Sequence, residues 1–173
     1  MKIHRNLAEG IIRGLELILI QEHALRPTLN KVLKYNKKWG SRDRRTLGKA
    51  LLDCIRWKRY YEYLGGIKFT DENYLWSLLG VWILTNKQVL PDWQEFKNIE
   101  NTKLNFNEDR QSLPLQIKSS LPDWLDQLGQ KYFKKAVWEQ ECLSMNTQAP
   151  LVLRANLLKG KTDDLLEQLN KDY

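Results

Sequence analysis

Two cysteines, two histidines and five prolines are all that this sequence of 173 residues holds of those types, and no apolar run reaches the length of a membrane span. Each shortage excludes something. A helix that crosses a bilayer needs roughly 18–20 consecutive apolar residues; the best segment, IIRGLELILI, is interrupted by Arg13 and Glu16. The opening MKIHRNLAEG lacks the charged, apolar and small-residue order of a signal peptide. The reading is a soluble, cytoplasmic protein with no membrane partner. Cys54 and Cys142 have no CxxC spacing and no histidine beside them, so both read as reduced, partly buried apolar residues and not as metal ligands or a disulfide. His4 and His23 read as surface residues. There is no phosphate-cradling glycine loop, no GxGxxG after a strand and no GxSxG. Asp71-Glu72 and Asp163-Asp164 read as first-turn helix residues, placed where the helix dipole favours negative charge. No catalytic residue and no metal ligand is expected.

What the chain does have is a core. Hydrophobic residues make up 42%, with seven Trp and seven Tyr, which rules out a disordered chain. The length suits one domain, or one domain and a fragment. Ile3, Leu7, Ile11, Leu15 and Ile18 recur at helical spacing and predict a helix over 3–24. A second begins at Pro27 and ends near Gly40. A third, capped by Ser41, runs through RDRRTLGKALLDCIRWKRYYEYL to Gly65-Gly66. Thr70-Asp71-Glu72 opens a fourth, Pro91-Asp92 a short fifth, and residues 98–112 read as a polar loop. LPDWLDQLGQKYF and KKAVWEQECLSMN give two more helices. The fold class is therefore mainly α, with residues 1–146 one helical domain.

Charge is the most informative pattern. Of 28 Lys and Arg, eleven fall in residues 31–60 beside only two acids, Asp43 and Asp53; the remaining 17 face 19 acids. So local an excess suits a phosphate backbone better than general basicity would. On the third helix, Arg45, Lys49, Arg56 and Arg59 fall within about 80° of one another, opposite Leu47, Leu51, Cys54 and Tyr61. This makes a basic ridge over a buried stripe, with Lys58 on the apolar side and forced to snorkel. Lys34, Lys37, Lys38, Arg42, Arg44, Arg45, Lys49, Arg56 and Arg59 are the expected RNA contacts, with a capping or pairing role kept open for Arg44. Trp39, Trp57, Tyr60, Tyr61 and Tyr63 lie among these charges; most are core at this spacing, though unpaired bases could stack on them.

The tail changes character. Ala149-Pro150 breaks the helical pattern, LVLRANLL alternates like a strand, and Thr162 caps a fresh helix. Arg154 and Asn156 lie on the polar face of that strand and are expected to organise a small subdomain or reach substrate. A lone strand is an unpaired edge, so the expectation is that the chain continues past Tyr173 or that a partner completes the sheet.

Two stretches carry a family resemblance. SLPDWLDQLGQKYF…LSMNTQAPLVLRANLLKGKTDDLLEQL resembles the junction region of bacterial rRNA (cytosine-5)-methyltransferases of the Sun/RsmB type. The match runs through Leu121, Pro122, Trp124, Leu125, Asn146, Ala149, Pro150, Leu153, Arg154, Asn156, Lys159 and Thr162. RDRRTLGKALLDCIRWKRYYEYL is similar to a helix of the NusB-like N-terminal domain of the same enzymes through Arg44, Arg56 and Trp57. The resemblance is close over 113–170, looser over 1–65 and poor over 66–112.

It implies a NusB-like helical RNA-binding bundle over 1–146. Residues 147–173 would then be one strand and one helix, the start of the α/β subdomain that precedes a methyltransferase domain. The family's catalytic cysteines sit in Thr-Cys or Pro-Cys contexts, whereas Cys54 is in LDCIR and Cys142 in QECLS. The resemblance therefore implies an rRNA-docking module without a cofactor of its own. S-adenosylmethionine would belong to the parent enzyme, and the partners would be rRNA, of the small subunit, and the missing catalytic domain. The alternatives are a stand-alone antitermination-type adaptor that binds RNA and a protein together, and a helical protein-interaction module with no RNA role.

Overall fold

In a computed structural model, which describes residues 3–100, 109–150 and 152–172, the chain is mainly helical. The central element is α5 (Tyr74–Thr85). It is apolar nearly all round, and Tyr74, Ser77, Leu78, Leu79, Gly80, Val81, Trp82 and Ile83 are buried. A helix without a polar face has to be surrounded. α1 (Arg5–Leu15), α3 (Ser41–Arg56) and α4 (Lys58–Gly65) pack on it, and α2 (Leu25–Tyr35) lies against α1 and α3. Phe96 and Ile99, from a 3₁₀ turn at Gln94–Phe96 and α6 (Lys97–Glu100), close the remaining side over Gly80. The α1–α3 contact is close because Gly10 and Gly14 face it; a Cβ at Gly10 would meet the Trp39 ring.

A smaller cluster lies beyond. A 3₁₀ turn (Arg110–Ser112), α7 (Leu115–Lys118), α8 (Asp123–Tyr132) and α9 (Lys135–Met145) gather around Leu121, Trp138 and Cys142, with Leu115 and Leu125 packed against them. At its centre the buried Asp126 accepts from Trp138 Nε1 at 2.8 Å and from Gln130 Nε2 at 2.7 Å, so the carboxylate inside is hydrogen-bonded. α10 (Thr162–Asp172) follows an exposed stretch.

The structure departs from the periodicity at four places. The first helix is α-helical only to Leu15 and ends as a π-turn over Glu16–Ile20, closed by the Gln21 N–H on Glu16 O at 3.0 Å. Next, α5 starts at Tyr74, because Asp71 turns back to accept from the Lys68 N–H at 2.7 Å and closes a turn before the helix. The helix predicted over 41–65 is two helices with a break at Trp57. Finally, no strand forms among the described residues: 152–156 take no regular secondary structure, since nothing there supplies the second edge that a ladder requires. Residues 101–108, the middle of the expected polar loop, lie outside the described residues.

Two substitutions test the packing. Glycine inside a helix ordinarily costs roughly 0.5–1 kcal/mol relative to alanine. Gly48 has nothing within 4 Å of a built Cβ, so Gly48→Ala is expected to stabilise by about that amount. A Cβ at Gly129 would fall inside 3.0 Å of the Trp138 ring. Gly129→Ala is therefore expected to destabilise by about 1–3 kcal/mol. Urea denaturation midpoints report both.

A third test uses pH. Arg5 donates to both carboxylate oxygens of Glu95, at 2.9 and 2.5 Å, between the rings of Trp76 and Trp93. Those hydrogen bonds hold the Glu95 carboxyl below its ordinary value of 4.5. Its folded value is depressed, so the stabilisation is present above pH 4.5 and is lost as pH falls through the lowered value. Glu95→Gln is expected to lower the melting temperature at neutral pH and to match the unmodified chain in strong acid. Equal offsets at both pH values would refute the linkage.

Candidate nucleic-acid interface

The basic segment starts in the turn between α2 and α3. Asn36 Oδ1 accepts from the Lys38 N–H at 2.9 Å, the Trp39 N–H bonds Asn36 O, and the Trp39 ring is buried against Gly10. Arg44 reaches back to donate to Trp39 O at 2.9 Å and to Leu33 O at 2.7 Å. Leu33 O is one of the carbonyls that the end of α2 leaves without a partner. Arg44, expected as an RNA contact with a capping role kept open, thus staples the end of α2 to the start of α3.

With that turn fixed, Lys31, Lys34, Lys37, Lys38, Arg42 and Arg45 are all exposed, and none makes an ion pair among the described residues. The two acids of the segment do not neutralise them. Asp43 accepts from the Gly40 N–H at 3.2 Å, and Asp53 accepts from Trp82 Nε1 at 2.9 Å. Arg42 also sits in the first turn of α3, at the positive end of its dipole, where a cation is unfavourable by roughly 0.3–1 kcal/mol. Lys49 is exposed and donates to Asn86 Oδ1 at 3.1 Å.

Further along, the ridge turns inward. Arg56 Nε donates to Asn146 Oδ1 at 3.2 Å, and its Nη2 to Met145 O. Arg59 Nη1 donates to Leu121 O at 2.8 Å and to Asp123 Oδ1 at 2.6 Å. Ser120 Oγ accepts from the Arg59 N–H at 3.1 Å. That hydroxyl takes the donor which an unbroken helix would direct at Ile55 O, and this is the cause of the break at Trp57. Arg110 donates twice to Lys118 O and stacks 4.6 Å from the ring centroids of both Trp57 and Tyr60. Asn146 Nδ2 closes the seam on Ser119 O at 3.0 Å.

The residues predicted as one RNA surface therefore divide. Lys34, Lys37, Lys38, Arg42, Arg45 and Lys49 face solvent, while Arg56 and Arg59 clamp the α7–α9 cluster onto α3 and α4. Lys58, expected to snorkel, pairs with Glu62 at 2.8 Å. The seam residues Ser120, Arg110 and Lys118 were not legible as functional: they carry no periodicity and lie in or beside the polar stretch. Of the tail residues, Asn156 shapes a turn, its Oδ1 accepting from the Leu158 N–H at 3.1 Å, and Arg154 is exposed without a partner among the described residues. Both cysteines are buried. Burial and the neighbouring Asp53 push the Cys54 thiol far up, and burial pushes Cys142 up to about 11, so neither is a thiolate at neutral pH. No helix among the described residues is long and apolar enough to cross a membrane, and no three His, Cys, Asp or Glu side chains there are placed to hold a metal.

Comparison with known proteins returns one family. Residues 121–173, a little under a third of the chain, match the ferredoxin-like domain described for RsmF/B-like methyltransferases. No curated protein and no solved structure matches the chain. The match begins at Leu121, the residue whose carbonyl Arg59 holds. The C-terminal part is thus similar to that ferredoxin-like domain, and Arg59 joins the helical bundle to its first residues through Leu121 and Asp123.

The clamp is testable on its own. Arg56→Ala with Arg59→Ala removes donors from the Met145 and Leu121 carbonyls, at a cost of roughly 1–3 kcal/mol to the seam. Amide exchange in α8 and α9 is expected to accelerate while α1 and α5 keep their protection. Uniform acceleration through the whole chain would mean that the two arginines support the bundle and not the seam.

Proposed function

We propose that this chain is the RNA-docking part of an rRNA cytosine-C5 methyltransferase of the Sun/RsmB type. The helical bundle acts as a NusB-like RNA-binding domain and residues 121–173 lead towards a catalytic region outside this chain. The observation that carries the reading is the set of exposed cations Lys31, Lys34, Lys37, Lys38, Arg42, Arg45 and Lys49, left without ion pairs among the described residues, with Arg42 in the first turn of α3 where charge of that sign is unfavourable. Such a surface is kept at some cost to stability, which is the pattern of a binding site. The similarity of 121–173 to a methyltransferase domain supplies the class of enzyme. The RNA is proposed to be ribosomal, of the small subunit, and the setting cytoplasmic.

S-adenosylmethionine would be the methyl donor of the parent enzyme. The described residues do not fit it: with no strand among them they build no strand–loop–helix turn to cradle the nucleoside, so no step through that cofactor is assigned to this chain. Its own residues bind and orient RNA.

Charge reversal decides the matter. Lys38→Glu, Arg42→Glu and Arg45→Glu touch exposed, unpaired side chains, and Arg42→Glu places an acid in the first turn of α3, where it stabilises. The triple variant is expected to stay folded and to lose at least about tenfold in affinity for a small-subunit rRNA transcript. The slope of log affinity against log salt should shrink by roughly 0.7–0.9 for each phosphate that is no longer neutralised. Unchanged affinity and slope in the folded variant would sink the assignment.

A further inference from the structure

Between Trp57 on one side and α7 and α9 on the other lies a cavity of about 280 Å³, lined by Trp57, Arg110, Gln111, Lys118, Leu143 and Asn146 among others. Its chemistry is one-sided. No carboxylate lines it, and two cations do. Lys118 is half-buried and has no ion pair or hydrogen-bond partner for its ammonium among the described residues. An ammonium without a counterion at the rim of such a cavity is open to an anionic ligand. Arg110 keeps Nη1 without a partner there, while its guanidinium is pinned over Trp57 by the two hydrogen bonds to Lys118 O. Leu143, 56% exposed, gives an apolar wall beside that cation–aromatic layer. Asn146 and Gln111 add amides.

We infer that this seam cavity is a subsite for one unstacked nucleotide of single-stranded RNA. The base would lie against Leu143 and the Trp57–Arg110 layer, with its phosphate on Lys118. Stacking on aromatic and guanidinium planes next to a basic track is how proteins hold unpaired bases. The volume lies just under the range of small-ligand pockets, roughly 300–1,000 Å³, which admits one nucleotide and excludes a duplex. The cavity also continues the basic ridge: Arg56, on the same helix as Arg45, donates to Asn146 in its wall. Along α3 those two arginines are roughly 16 Å apart, about five phosphate spacings of a stacked strand. A strand gripped at Arg42 and Arg45 would arrive at the seam within a handful of nucleotides.

The inference rests on the RNA-docking reading, and its test separates the two. The full chain is photo-crosslinked to a short single-stranded oligoribonucleotide carrying one internal 4-thiouridine, and the adduct is located by mass spectrometry. Crosslinks are expected in the peptides around 110–118 and 143–147. Lys118→Glu and Leu143→Glu, each checked for an unchanged melting temperature, are expected to lower that crosslink about tenfold while leaving duplex RNA affinity unchanged. Lys38→Glu with Arg42→Glu serves as the ridge control and should weaken both RNAs. Crosslinks confined to residues 31–49 and indifferent to the seam variants would overturn the subsite and leave RNA docking standing. Failure of the unmodified chain to bind either RNA would overturn both. Displacement of a seam-bound probe by a polyaspartate peptide more readily than by the oligonucleotide would mean an acidic protein occupies the cavity, and the nucleotide assignment would fall.

Discussion

The hydrogen bond from the Arg59 N–H to Ser120 Oγ organises the molecule. One hydroxyl from a distant part of the chain enters a helical ladder and ends it. Beyond the break α4 packs against α5, with Tyr61 and Leu64 buried and Tyr74 donating to Glu62. Ser120 is itself held in the left-handed region, at φ 53, a conformation that costs a serine energy and persists only where its surroundings demand it. The turn is closed locally, as a helix end, by the Leu121 N–H on Gln116 O at 2.9 Å, and Arg59 fastens it by donating its N–H to the hydroxyl and its guanidinium to Leu121 O. The main bundle and the smaller cluster are thus joined at a point that shapes both.

The same seam explains why arginines on one helix do different work. Arg45 and Arg56 lie on the same face of α3, yet only Arg56 has carbonyls within reach, because α9 ends beside it with Met145 and Asn146. An arginine that reaches an orphan carbonyl gives up little of its hydration and satisfies an acceptor that would otherwise be left to water. Arg44 does this for the end of α2 and Arg56 for the end of α9, both helix C-termini where the dipole also favours a cation. Arg42 and Arg45 have no such neighbour, and Arg42 stands at the opposite kind of helix end. The division between structural and displayed arginines follows from where carbonyls are, not from where arginines are.

That is also the boundary of what the sequence made legible. Element identities and the core came through because α1, α3 and α5 carry strong periodicity or continuous apolar character, and Leu47, Leu51 and Cys54 are buried where the helical wheel places them. The displayed cations from Lys34 to Arg45 were legible because an uncompensated local charge needs no tertiary knowledge. The break at Trp57 was not, since its cause lies about sixty residues away, and RWKRYY is locally a sound helix. The roles of Arg56 and Arg59 were hidden for the same reason: a helical wheel shows which way a side chain leaves its helix but not what arrives to meet it. The strand expected after Pro150 alternates properly and still forms no ladder among the described residues, because pairing is a property of two segments and only one is present there.

A rigid seam matters for a module proposed to position RNA. Were residues 121–146 joined to the bundle by a flexible linker, their separation from the basic ridge would spread over a distance growing as the square root of linker length, and binding at the second point would gain only the effective concentration that such a tether allows. Here the connection is a buried Leu121, a hydroxyl in a helix, two clamped arginines and the Arg110 layer on Trp57 and Tyr60. Each is individually modest, but they act on different atoms of the same short interface, so a swing that breaks one must break several together. RNA held on α3 would therefore meet the seam at a fixed distance, with the conformational entropy of the approach already lost on folding. For a docking module, that is the advantage of spending basic residues on its own carbonyls.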